Sequence, residues 1–97
     1  MKQSVLELLK KASIYTPMDR RVSARWLGVS EREIRKRIEE LRNDGYRIVS
    51  SSTNGGYWLA TTDEEYTRFR AEYISRAVKI FETVKAMDKV MEGQVEL

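Results

Sequence analysis

The chain has 97 residues, 41% of them apolar, a formal net charge of +3, and neither cysteine nor histidine. That length suits one small domain with a modest core. The missing residue types exclude disulfides, thiolate catalysis, histidine acid–base chemistry and the usual zinc ligand sets, so no enzyme, metal site or cofactor is expected. No apolar run reaches the roughly 18 residues of a membrane span. The N-terminus, MKQSVLELLKKAS, lacks the long apolar segment and small-residue cleavage site of a signal peptide. A cytoplasmic chain with no membrane or small-molecule partner is the expectation.

The charge is unevenly placed. Arg20 to Arg47 hold nine Arg/Lys against five Asp/Glu, a local balance of +4, whereas residues 61–97 hold six against eight, a balance of −2. A positive middle segment is the arrangement that meets an anionic partner.

In chain order, Val5, Leu6, Leu8, Leu9 and Ala12 form an apolar stripe at helical spacing. They predict a first helix from about Val5 to Ala12 with Ser4 as its N-cap. Thr16-Pro17 breaks it, because proline disfavours helix in the residue before it. Asp19 caps a second, short helix running to about Leu27, and Gly28 suits a positive-φ position after it. Ser30-Glu31-Arg32-Glu33 is a capping box, in which serine and glutamate side chains satisfy each other's backbone amides. A third helix then runs from Glu31 to about Asn43, with Ile34, Ile38 and Leu41 on one stripe and Gly45 as its left-handed terminator.

Tyr46-Arg47-Ile48-Val49 has strand composition, and Tyr57-Trp58-Leu59-Ala60 is its return partner. Tyr57 and Leu59 are expected to face inward with Tyr46 and Ile48, which turns Trp58 to the other face. Thr61-Thr62-Asp63 supplies caps for a last helix, with Asp63, Glu64 and Glu65 favourable in its first turn. No glycine or proline interrupts residues 63–91. One long helix to about Met91, followed by a frayed tail, is the simplest reading.

The residues Ala24-x-x-Leu27-Gly28-Val29-Ser30, Ile34-x-x-x-Ile38-x-x-Leu41-Arg42, Gly45-Tyr46-x-Ile48 and Gly56-Tyr57-x-Leu59 resemble the winged helix-turn-helix domain at the N-terminus of biotin operon repressors. Similar small domains occur in bacterial and phage regulators. The resemblance implies a mostly α, α+β fold: three helices and a two-stranded wing over residues 1–60, then a long C-terminal helix over 61–97. It departs at Ser23, where the family has an apolar residue, and Val22 is expected to take over that packing.

An α-helix fits the major groove of double-stranded DNA, and its N-terminal residues reach base edges. Opposite the apolar stripe of the third helix lie Arg32, Lys36, Glu39 and Asn43, with Arg35 on the flank. Arg32, Arg35 and Lys36 are candidates for guanine edges or phosphates, and Ser30 with the helix N-terminus for a phosphate. Arg20, Arg21 and Arg25 near the second helix start are phosphate candidates, and Arg47 is a charged wing contact. The uncharged wing tip, with Thr53 and Asn54, either makes light hydroxyl or backbone contacts or stays disordered. Glu31, Glu33, Glu39 and Glu40 dilute the positive field.

Along the last helix Ala77, Ile80, Val84, Met87 and Met91 recur at spacings of three and four, a short heptad seam that Phe81 and Val78 widen. Homodimerisation through it is expected, with folding back onto the first helix as the alternative. The functional reading is therefore a small phage-type or bacterial transcriptional regulator. An accessory factor in replication or recombination, and a winged helix that binds protein, are the competing readings.

Overall fold

A computed structural model describes residues 1–51 and 56–91, the last two as helical backbone only. The chain is mostly helical with one small sheet: α1 (Lys2–Lys10), β1 (Met18–Asp19), α2 (Arg20–Leu27), α3 (Glu31–Asn43), β2 (Ile48–Ser50), β3 (Gly56–Leu59) and α4 (Asp63–Met91). It divides into two compact units, Met1–Tyr66 and Thr67–Leu97.

The first unit is built around α3. Ile34, Ile38 and Leu41 are buried, and Val5, Leu6 and Leu9 of α1, Ala24 of α2, Met18 and Ile48 join them in one cluster. Each such aliphatic side chain contributes roughly 1.5–3 kcal/mol on full burial. α1 begins earlier than the apolar stripe suggests. The Val5 amide donates to the Met1 carbonyl and Lys2 pairs with Asp44 at 2.9 Å, so a first turn forms on backbone bonds and Ser4 lies inside the helix rather than capping it. The helix ends at Lys10, before Ala12.

Both α2 and α3 are closed at each end by local chemistry. The Asp19 carboxylate accepts from the Val22 amide at 2.9 Å, and the Ser30 hydroxyl accepts from the Glu33 amide at 3.1 Å. At the far ends Gly28 and Gly45 adopt positive φ. The amide pairs Gly28→Arg25 with Val29→Ala24, and Gly45→Arg42 with Tyr46→Leu41, complete a Schellman closure in each case. The Ser30–Glu33 box is one-sided, because the Glu33 carboxylate accepts from Arg37 instead.

The sheet has three strands, not two, in the order β1-β3-β2, all antiparallel. β1 is Met18–Asp19, directly after Pro17, with Met18 opposite Tyr57 and Asp19 opposite Gly56. The strands come so close that a Cβ on Gly56 would strike the Pro17 ring and crowd the Met18 carbonyl. That contact requires glycine there.

Alternation along β3 is as expected. Tyr57 and Leu59 pack against the core cluster with Ile48, and Val49 pairs with Trp58 on the other face. Tyr46 is exposed, contrary to expectation, because β2 begins only at Ile48. Trp58 is 5% exposed, and its indole N–H donates to Glu65 at 2.9 Å. Glu65 also accepts from the Thr61 hydroxyl at 2.9 Å, and the Thr62 hydroxyl caps its amide. The first turn of α4 thus supplies the polar partner that Trp58 lacks in the sheet. These two donors, Trp58 first, hold the Glu65 carboxyl below its usual range.

Ser23 is itself buried, and Val22 is 65% exposed. The expected exchange of packing between them does not occur: Ser23 sits beside Ala24 on the buried side of α2, and a small side chain fills that place. In the second unit α4 continues without interruption to Met91. No helix among the described residues is long and apolar enough to cross a membrane.

Candidate nucleic-acid interface

The outer face of α3 carries the candidate site. Ser30, Arg32, Glu33, Arg35, Lys36 and Glu39 line one open surface depression. Burying Ile34, Ile38 and Leu41 at spacings of four and three forces residues 32, 35, 36 and 39 outward, so the core itself aims the three cations. Arg32, Arg35 and Lys36 are exposed and form no ion pair among the described residues.

The acidic residues of the same helix are mostly engaged elsewhere. Arg37 lies between Glu33 and Glu40, at 2.7 Å from the first and 3.0 Å from the second. Its guanidinium is held above its ordinary pKa, by the Glu40 hydrogen bond first and the Glu33 bond second. Glu31 pairs with Arg20 at 3.0 Å, and Arg20 reaches the Tyr57 hydroxyl at 3.5 Å. These bonds, Glu31 first, likewise raise the Arg20 pKa. Three of the four glutamates that dilute the positive field therefore have a cation at hydrogen-bond distance. Glu39 remains in the depression with no ion pair among the described residues.

The other expected contacts divide into two groups. Arg21 and Arg25 are exposed on α2, one turn apart, with no ion pair among the described residues. Arg20 is half-buried in the Glu31–Tyr57 contact, and this makes it a link between α2, α3 and β3 rather than an open cation. Arg47 pairs with Asp63 at 3.0 Å and stacks on the Tyr66 ring at 4.2 Å, a cation–π contact that fastens the start of α4. Arg42 donates to the Ile48 carbonyl and lies 5.8 Å from the Tyr57 ring centre. Thr53 and Asn54 lie outside the described residues.

Two features were not foreseen. The Glu33-Arg37-Glu40 triad could have been read from its spacing of four and three, since such residues are neighbours on a helix. The exposure of Trp26, 80%, beside Val22 one turn away had no local signal. No cluster of acidic side chains suited to a metal ion occurs among the described residues. Comparison with protein-family models, curated proteins and solved structures finds no match to this chain.

Proposed function

We propose that this chain is a DNA-binding protein of winged helix-turn-helix type, a small phage-type or bacterial transcriptional regulator that lays α3 in the major groove. The architecture is compatible with that class. The observation that carries the reading is the charge arrangement on α3, whose outward cations Arg32, Arg35 and Lys36 form no ion pair among the described residues while Glu31, Glu33 and Glu40 are paired. Arg21 and Arg25 on α2 extend the cationic surface toward phosphates. Side chains already unpaired lose no partner on binding, which keeps the cost of association low.

Salt titration with a random-sequence duplex tests the reading. Five open cations allow a slope of log K against log salt as steep as about −4.5. Affinity that does not change with salt would refute it. Selection of bound duplexes from random DNA then separates the regulator from an architectural role in replication or recombination, which would enrich no consensus. A second reading, docking of another protein on α2, is favoured by one observation, the exposed Val22–Trp26 pair. It predicts a partner whose binding is lost in Trp26→Ala, with DNA affinity unchanged.

A further inference from the structure

The part of α4 beyond Tyr66 carries large apolar side chains on one half of its circumference. Tyr73, Ile74, Ile80, Phe81, Val84 and Met87 are all exposed, Ile80 at 67% and Phe81 at 66%. With Ala77 and Val84 at heptad positions a, and Ile80 and Met87 at d, the charged residues lie mostly off the seam, although Val78 at b is also apolar and 49% exposed. Lys79, Glu82, Lys85 and Lys89 fall at b, c or f, away from the seam, and the flanking e and g positions from Ile74 to Asp88 hold only two charges, Arg76 and Asp88. An apolar a/d seam with charges mostly at b, c and f is the pattern of a coiled coil, widened here by Ile74 and Phe81 at e.

We infer that this face pairs with the same face of a second copy of the chain, in antiparallel orientation. Three observations select that occupant. The six exposed apolar side chains are 41–67% exposed, and together with the flanking aliphatic stems they offer an area of the order that a specific interface takes from each partner, about 800 Å². The order of side-chain sizes sets the direction. Antiparallel pairing places small Ala77 against long Met87 and Ile80 against Val84, so each layer holds a similar volume. Parallel pairing would set Ala77 against Ala77 and leave a gap in the core of the seam. The antiparallel register also sets Phe81 against Phe81 and Thr83 against Thr83 across a two-fold axis, with no like charges opposed. The pairing stands independently of DNA binding by α3.

The absence of cysteine allows a clean test on the full chain. Light scattering after size exclusion is expected to give twice the 11.4 kDa of one chain. Ile80→Glu with Val84→Glu is expected to return the mass to one chain, with the near-ultraviolet signal of buried Trp58 retained in a Trp26→Phe background. Under mild oxidation, a mixture of Ile80→Cys and Val84→Cys chains is expected to cross-link several-fold more than either alone, because only the mixed pair brings two Cβ atoms within disulfide reach. A one-chain mass at every concentration would overturn the dimer, and a preference of Val84→Cys for itself would overturn the antiparallel register. A monomer that still binds DNA with steep salt dependence would refute this pairing and leave the α3 reading standing.

Discussion

α3 and the later part of α4 carry the same sequence pattern with opposite outcomes. Both space apolar residues by three and four. In α3 the pattern gives Ile34, Ile38 and Leu41, which are buried; in α4 it gives Ile80, Val84 and Met87, which are exposed. The helices also differ in closure. α3 is capped at both ends within 13 residues, whereas α4, capped at its start by Thr62, runs 29 residues with no glycine or proline. Periodicity therefore specifies which face of a helix is apolar and says nothing of what covers it. The cover comes from tertiary packing in the first unit and, on the inference above, from a second chain in the other.

The sharpest contrast is in stability. Ile38→Ala removes side-chain volume from a closed core and is expected to cost about 2–5 kcal/mol, read by denaturant unfolding monitored at Trp58. Ile80→Ala is expected to leave that transition unchanged and to weaken only self-association. Equal losses at the two sites would erase the distinction between the helices. Gly56→Ala is expected to cost about 1–3 kcal/mol by overpacking against Pro17, detectable as a lowered melting temperature. The expectation fails if alanine is neutral there.

Charge sharpens the comparison within α3 itself. Glu39→Gln removes the unpaired acid in the depression and is expected to tighten duplex binding about two- to tenfold. Glu40→Gln acts on a carboxylate already paired with Arg37 and is expected to change DNA affinity little. Fluorescence anisotropy at one fixed salt concentration separates the two. The smallest effect concerns the start of α4. The folded Glu65 carboxyl titrates below its ordinary value of 4.5, mainly through the Trp58 N–H, so its contribution is present above that value and fades as pH falls through the lower folded one. A shift of Trp58 emission in that acid range, in a Trp26→Phe background and absent in Glu65→Gln, is the expected result.

Much of the first unit was legible because its elements close on local chemistry. Asp19, Gly28, Ser30 and Gly45 act within a few residues of their own positions, and α2 and α3 fall where these residues put them. What escaped depends on distant partners. β1 is two residues long, too short for any periodicity, and exists because β3 offers it a partner. The Trp58–Glu65 bond and the Arg20–Glu31 pair join separate elements. Burial of Ser23 in place of Val22 depends on how α2 rotates against α3. For the candidate site, the outward placement of Arg32, Arg35 and Lys36 followed from the helix period. The pairing of Glu31 required the fold.

The central claim is that the outward cations of α3 bind double-stranded DNA. Its most direct test is the affinity of Arg32→Glu with Lys36→Glu for a random duplex at moderate salt, beside a melt of the same variant. Each lost contact costs about 1–3 kcal/mol. The predicted result is affinity reduced about thirtyfold or more, with the melting temperature held because both side chains point away from the Ile34-Ile38-Leu41 core. Retained affinity in the folded double variant would contradict the account and move the interface off this face.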